Sequence, residues 1–419
     1  MIKEFRFDLQ RFTVFAHAPS GEVKEFVTVD DLYSHVFKRK YWIYGFKITK
    51  NESDPSARVT YTDDCTGFAP MSVNLSDGTV DWGSWENNPI IESFRPVALK
   101  FDGTVDYELD HNDHTKKLDG TASDISDVNY AGNFMVGVKK MYFYCYEDSN
   151  YEYCKVSNYQ VDSNYKCYAH INDNGDIVNE IYLPMFEGYK DSNNRLRSIA
   201  GVTPCYSTGG AANEITWAKN NGSGWYIDDF GNTKMIENLL ILLTKSCNNQ
   251  ATLGRGFVDG NSTVTTTGAL KDKGMFWGNT GGKTSVKFLY LENYYGSRWD
   301  RIAGCINNNG TYYVKPSRPY IDETTFMSGY INTSLAVPST SGGYQSAHTM
   351  TEYGLLPKTC SGSESTYIPD GMWSNNSQQD YALRGGRWDY GSWCGVSCLN
   401  VSAVFSLSYA TLGASPCYK

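Results

Sequence analysis

The stretch Arg384-Gly385-Gly386-Arg387-Trp388-Asp389-Tyr390-Gly391-Ser392-Trp393-Cys394-Gly395-Val396-Ser397-Cys398-Leu399-Asn400 decides how the chain is read. It continues as Val401-Ser402-Ala403-Val404-Phe405-Ser406-Leu407-Ser408-Tyr409-Ala410-Thr411-Leu412-Gly413. Glycines and Trp388 frame an interior crowded with Tyr, Ser, Trp, Asp and Asn. Those residue types dominate antibody paratopes, where rigid aromatics anchor a partner and small polar side chains adapt to it. A stable fold that replaces side chains on one exposed face changes partner without changing its core. Trp388 is expected in the core as part of the frame, and Asp389, Tyr390 and Tyr409 on the exposed face.

The composition outside this stretch agrees with a binding protein. The 419 residues suggest roughly two to three domains. Hydrophobic residues make up 41% and charged residues 20%, a soluble globular profile with material for a sizeable core. The formal charge of -9 disfavours a partner held by phosphate neutralisation, so no nucleic acid is expected. Aromatics reach 15%, with 32 tyrosines, which argues against long disorder. Met1 to Thr13 alternates charged and apolar residues without the apolar run of a secretory signal. The longest apolar stretch, Met235 to Leu243, is broken by Glu237 and Asn238 and is too short to cross a bilayer, so no membrane insertion is expected. Eleven cysteines without a CxxC pair point to a reducing cytoplasm and to mostly free, buried thiols.

Along the chain, the first forty residues read as a short β piece followed by a helix over 32–40, capped by Asp30 and Asp31. Beyond Tyr41 the texture is short β runs and turns. Trp42 to Ile48 and the long run Val136 to Tyr146 are aromatic and β-branched, and Ser76-Asp77-Gly78 and Asp173-Asn174-Gly175-Asp176 are turn signals. One helix stands apart: Thr233 to Ser246, preceded by Asp228 and Asp229, is apolar around most of its surface and belongs in the core. Strands are expected over Thr284 to Tyr290 and Gly304 to Val314. The pattern is α+β.

The constellations that suggest catalysis have simpler accounts. Gly278 to Thr284 ends like a phosphate loop, but Trp277 stands where its first glycine belongs and a strand follows, so it reads as a surface turn. Asp110-His111-Asn112-Asp113-His114 offers metal-ligand types, yet consecutive residues on a polar loop rarely converge on one ion; a solvated turn is expected. Asp173 to Asp176 lacks the frame of a calcium loop and reads as a type I′ hairpin turn. His17, His35, His170 and His348 stand alone, and no nucleophile with its base can be named. No catalytic residue, no metal and no cofactor is expected.

The segment after Arg384 resembles the C-terminal variable region of proteins diversified by retroelements. The matching frame is Arg384-Gly-Gly-x-Trp388, the Gly391-Ser-x-x-Gly395 turn, the Leu399-Asn400 strand, and the Ser-rich stretch ending in Leu412-Gly413. Upstream, Lys273-Gly-Met-Phe-Trp-Gly278, Leu291-Glu-Asn-Tyr-Tyr-Gly296, Arg301-Ile-Ala-Gly304 and Gly354-Leu-Leu-Pro-Lys358 are similar to gut-phage tail proteins of this class, and Phe7 to Phe12 to the start of many phage structural proteins. The resemblance implies an α+β architecture. A C-terminal C-type-lectin-like (formylglycine-generating-enzyme-like) domain over 186–419 would follow a β-rich domain over 41–185 and a virion-attachment or oligomerisation segment over 1–40. It implies a variable segment over about 384–413, with contact positions Asp389, Tyr390, Trp393, Cys398, Asn400, Ser402, Ala403, Phe405, Ser408, Tyr409, Ala410 and Thr411. It implies synthesis in a bacterial host, display on a virion tail as a homotrimer beside other tail proteins, and a host cell-surface receptor, protein or glycan, as partner. Two departures bound it. The sugar-binding triplets of calcium-dependent lectins are missing, and Cys394 and Cys398 lie beyond the register of the copper-binding cysteines of formylglycine-generating enzymes. An oxidase and a purely structural tail protein are the alternatives.

Overall fold

The computed structural model describes residues 41–260, 262–320 and 328–419, together with the backbone of three strands, Glu4–Asp8, Thr13–His17 and Val23–Phe26, which pair as an antiparallel meander. The helix expected over 32–40 lies outside the described residues. The rest is mostly β-sheet with few helices.

Three sheets organise the described chain. A four-stranded antiparallel sheet runs in the order Tyr142–Glu147, Tyr151–Ser157, Ile43–Thr49, Val59–Asp63. Its first hairpin closes where the Asp148 carboxylate accepts from the amides of Asn150 and Tyr151, a local turn that Asp favours. A six-stranded sheet runs Trp225–Ile227, Pro416–Tyr418, Glu180–Pro184, Gly132–Lys139, Phe94–Lys100, Val105–Glu108. The run Val136 to Tyr146, expected as one strand, is therefore two. It breaks at Lys140-Met141, and its halves join different sheets. An eight-stranded sheet holds the C-terminal part, in the order Ile331–Ala336, Thr311–Val314, Trp299–Asn308, Gln379–Gly385, Gly395–Ala403, Ile368–Ser374, Gly343–Gln345, with Leu412–Gly413 pairing in parallel against Trp299–Asn308. Gly395–Ala403 is central, antiparallel to Gln379–Gly385 and parallel to Ile368–Ser374.

The boundary expected at 185/186 is crossed by the six-stranded sheet, in which Pro416–Tyr418 lies between Glu180–Pro184 and Trp225–Ile227. One apolar core also runs across it, from Tyr44 through Phe134 and Leu240 to Val396.

Helix α1, Gly210–Lys219, was not anticipated, although Ala211, Ile215 and Ala218 carry a helical spacing and all three are buried. Helix α2, Phe230–Thr244, follows the expectation closely. Asp229 caps it by accepting from the Asn232 amide, and all fifteen residues are buried. It packs against strands of both the four-stranded and eight-stranded sheets, so its all-round apolar surface has partners on every side.

Two further expectations change. Lys287–Phe288 and Leu291–Glu292 form a tight hairpin whose two turn residues, Leu289 (φ +50°) and Tyr290 (φ +64°), both adopt left-handed backbone, in place of a strand through Tyr290. Trp299–Asn308 and Thr311–Val314 are joined by Asn309-Gly310, with φ +50° and +93°, in place of one strand over 304–314.

Candidate functional site

The segment from Arg384 is built on a buried charge cluster. The Arg384 guanidinium lies 2.6 Å from the Asp300 carboxylate and 3.1 Å from that of Asp228, and donates to the Tyr294 carbonyl at 2.7 Å. It also stacks 3.4 Å from the centre of the Tyr294 ring. Asp228 accepts from the Asn232 side chain at 2.8 Å and from the Asp229 amide, so the cluster ties the start of α2 to the strand Gln379–Gly385. Burial pushes the Asp300 carboxyl up to about 6, although Arg384 pulls it down.

The glycines that follow are demanded by space. Gly386 has φ +83°, and a Cβ there would lie 2.4 Å from the Cys394 sulfur. A Cβ on Gly395 would lie 2.2 Å from the Asp370 carboxylate, which accepts from the Ser397 amide. Side chains from outside the segment hold the rest of its backbone. Gln250 donates to the carbonyls of Gly391 and Cys394, and Gln345 to those of Gly371 and Ser397. The Tyr344 hydroxyl lies 2.6 Å from that of Ser392, which also donates to Glu364. Trp388 is buried, as expected.

Upon this scaffold sits an aromatic face. Tyr390 lies 5.0 Å from Trp373, 5.8 Å from Trp299 and 6.0 Å from Trp393, ring centre to ring centre. Trp393 meets Trp373 at 5.2 Å and Tyr344 at 5.9 Å, edge to face. Tyr344, Trp373, Tyr390 and Trp393 are all part-exposed, and Ser392 leads from them into a groove of about 430 Å³ lined by Arg255, Thr280 and Glu364. The Arg387 guanidinium covers the Tyr390 ring at 4.3 Å, pairs with Asp389 at 2.7 Å and donates to the Thr411 hydroxyl at 3.4 Å, linking the 387–393 turn to the 404–411 loop. That loop is docked elsewhere. The Phe405 carbonyl accepts from the Ala211 amide of α1, Ser408 donates to Ser207, and Phe405 packs on Tyr381. Arg301, paired with Glu214 of α1 at 2.6 Å, donates to the Leu407 carbonyl.

The twelve sequence-expected contact positions divide into three groups. Asp389, Ser408, Tyr409 (59% exposed) and Ala410 face outward; Tyr390, Trp393, Asn400, Ser402 and Phe405 are part-exposed. Cys398 (1%), Ala403 (1%) and Thr411 (7%) are buried, which removes them from the presented surface. Strand alternation puts Cys398, Asn400 and Ser402 on one face, and Cys398 ends up in the layer formed by Trp299, Leu383, Trp373 and Tyr390. The sequence reading missed Tyr344 and Trp373, which enter the face from other strands; their side chains carry no local signal of that convergence.

The remaining candidates resolve individually. Gly278 to Thr284 is a surface turn in which Asn279 accepts from the Gly281 amide and the Thr284 hydroxyl. His111 pairs with Glu108 at 2.7 Å, whereas His114, expected in a solvated turn, is fully buried; burial depresses it to about 3 while its Nδ1 contacts the Asp110 carbonyl. At Asp173 to Asp176, only Gly175 has positive φ and its amide donates to the Asn172 carbonyl, a type I turn ended by a left-handed glycine rather than type I′. All eleven cysteines are free and nine are buried. The Cys394 thiol donates to the Arg387 carbonyl and burial pushes its pKa up, the opposite of what a thiolate ligand or nucleophile requires. Among the described residues no group of three or more His, Cys, Asp or Glu side chains is placed to hold a metal ion, and no helix is long and apolar enough to cross a membrane.

No protein-family model matches the chain, and no curated protein does. Among solved structures it is similar to variants of the Major Tropism Determinant. The I1 variant shares 12% identity, with all of this chain and 95% of the other covered and a TM-score of 0.31. The M1 variant matches at 12%, 100% and 94%, with a TM-score of 0.32, and the P3c variant at 11%, 100% and 94%, with 0.31.

Proposed function

We propose that this chain is a non-enzymatic phage receptor-binding protein. Its C-type-lectin-like C-terminal domain displays a surface diversified by a retroelement, on a virion tail where the protein is a homotrimer beside other tail proteins. The observation that carries the reading is a separation of roles within residues 384–411. Buried groups outside the segment hold its backbone, while Asp389, Tyr390, Trp393, Asn400, Ser402, Phe405, Ser408, Tyr409 and Ala410 are at least part-exposed. Substitution at these positions leaves the Arg384 cluster and the Gln250 and Gln345 contacts in place. Large aromatics dominate the face, and such residues supply most of the energy of an interface, while its small polar neighbours supply fit. With a net charge of -9 the chain gains little from acidic cell-surface polymers in general. Several copies per particle would add the avidity that one small patch lacks.

Two measurements test this. Sequencing the gene across one phage population should find the codons of those nine residues more variable than those of Arg384 to Gly386; equal variability overturns the retroelement reading. Particles carrying Tyr390→Ala, Trp393→Ala, Phe405→Ala or Tyr409→Ala should adsorb more weakly to host cells. Unchanged adsorption in all four moves the receptor site elsewhere.

A further inference from the structure

A second cavity, of about 460 Å³, lies away from the segment 384–413 and none of its lining residues belongs to it. One wall is apolar: Trp82, Ile91 and Met275, with the Trp82 ring fixed edge-on against Phe276 at 5.6 Å. The polar lining, Arg95, Glu108 and His111, is held in a chain of charge-assisted bonds that begins at Glu180 behind it. Glu180 grips Arg95 through both carboxylate oxygens at 2.7 Å, Arg95 reaches Glu108 at 3.4 Å, and Glu108 meets His111 at 2.7 Å.

Tyr290 completes the lining. It is 2% exposed, lines the cavity, stacks edge-on with both His111 and His114, and its hydroxyl makes no hydrogen bond within the described residues. Its position is enforced at a cost. Leu289 and Tyr290 both occupy left-handed backbone without being Gly, Asn or Asp, a conformation that persists only where the surroundings over-determine it. Here the flanking pair does so. Glu292 accepts from the amides of Gly268, Ala269 and Leu270, and its cross-strand partner Lys287 donates to the carbonyls of Leu270 and Lys273. The fold thus spends strain to place Tyr290, whose hydroxyl is unpartnered, in the lining beside Glu108, His111 and Trp82.

We propose that this cavity is a second ligand site, independent of the receptor face, and that it takes a neutral pyranose sugar unit. A pyranose ring has one C–H face to lay on Trp82 and a rim of hydroxyls that both donate and accept, matching the carboxylate of Glu108, the imidazole of His111 and the free hydroxyl of Tyr290. Charge selects against the alternatives. An anionic ligand faces Glu86, Glu92 and Glu108, and a cationic one faces Arg95 and Lys139.

The test titrates the full chain with methyl β-D-galactopyranoside, methyl β-D-glucopyranoside and N-acetylneuraminic acid, read by saturation-transfer NMR. At least one neutral glycoside should bind saturably, and N-acetylneuraminic acid should not. Trp82→Ala should abolish the signal, and Tyr290→Phe should weaken it about three- to tenfold with the melting temperature unchanged. Tyr409→Ala should leave it intact, which separates this site from the receptor face. A parallel arm with the reducing sugars distinguishes sources: equal affinity for glycoside and reducing sugar marks the terminal unit of a glycan chain, and preference for the reducing form marks a free sugar. Absence of saturable binding at tens of millimolar, binding that survives both Trp82→Ala and Tyr290→Phe, or equal binding of N-acetylneuraminic acid overturns the proposal.

Discussion

Replacing Arg384 with Ala probes the base of the segment 384–413 directly. The side chain is 3% exposed and stands against two carboxylates, Asp228 at 3.1 Å and Asp300 at 2.6 Å, themselves 0% and 14% exposed. Removing the cation leaves two buried carboxylates without their principal counter-charge and the Tyr294 carbonyl without a donor. Breaking a buried pair from one side costs about 3–5 kcal/mol, and the second carboxylate places this case at the upper end. The loss has a pH signature. Asp300 already sits near 6 in the folded state, above an ordinary Asp value of about 4, and Asp228 is raised in the same direction. A carboxyl raised by folding contributes stability below its unfolded value and loses it as pH rises through the folded one. Arg384 is the group that pulls both down, so without it both rise further and the destabilisation is largest at neutral pH. Chemical denaturation of wild type and Arg384→Ala at about pH 7.5 and about pH 5 should therefore show a gap that narrows on acidification. Adding Asp228→Asn and Asp300→Asn should recover much of the neutral-pH loss. A cost below about 1 kcal/mol at neutral pH, or a gap that does not change with pH, would refute the cluster as the anchor.

Other substitutions sort scaffold from surface. Leu240→Ala or Leu242→Ala in α2 should each cost about 2–5 kcal/mol in a denaturation series, because both side chains are fully buried. Gly386→Ala should cost more than about 1 kcal/mol in the same series, combining a left-handed backbone with a clash against Cys394. Tyr409→Ala should change stability by less than about 0.5 kcal/mol, whereas Tyr390→Ala should cost about 1–2 because Tyr390 packs on Trp299 and Trp373; the reverse order would mean that core and face have been exchanged.

Local signals were legible and long-range ones were not. Asp229 before an apolar run announced α2 and its cap, and the aromatic run at Trp42 announced the strand Ile43–Thr49. Asn309-Gly310 carried a plain hairpin signal in the middle of the run Gly304 to Val314. Leu289-Tyr290 carried none, since the buried Lys287–Glu292 pair imposes the turn through bonds to residues 268–273. His114 read as polar because a histidine among aspartates says nothing of the Tyr290 ring that covers it. In the segment 384–413, the burial of Trp388 and the outward position of Asp389 and Tyr409 were readable. Burial of Cys398 and Ala403 was not: Trp373 and Tyr390 cover Cys398, and the pairing with Gln379–Gly385 shifts register between Asn400 and Ala403. The link from Asp228 to Arg384 joins two features that the sequence presents as unrelated.

The position of Pro416–Tyr418 has a consequence for synthesis. These residues complete an inner strand of the six-stranded sheet, and they follow the segment 384–413 in the chain. The sheet cannot close on the ribosome until the stretch 384–413 has been made and has passed through its own strand, Gly395–Ala403. A substitution that spoils that strand therefore withholds the closing piece from a sheet whose other members were translated long before. Such non-local closure is slow and exposes unpaired edges while it waits. Substitutions within 384–413 that the frame tolerates let the sheet finish closing, and those it does not tolerate leave it open to aggregation and proteolysis.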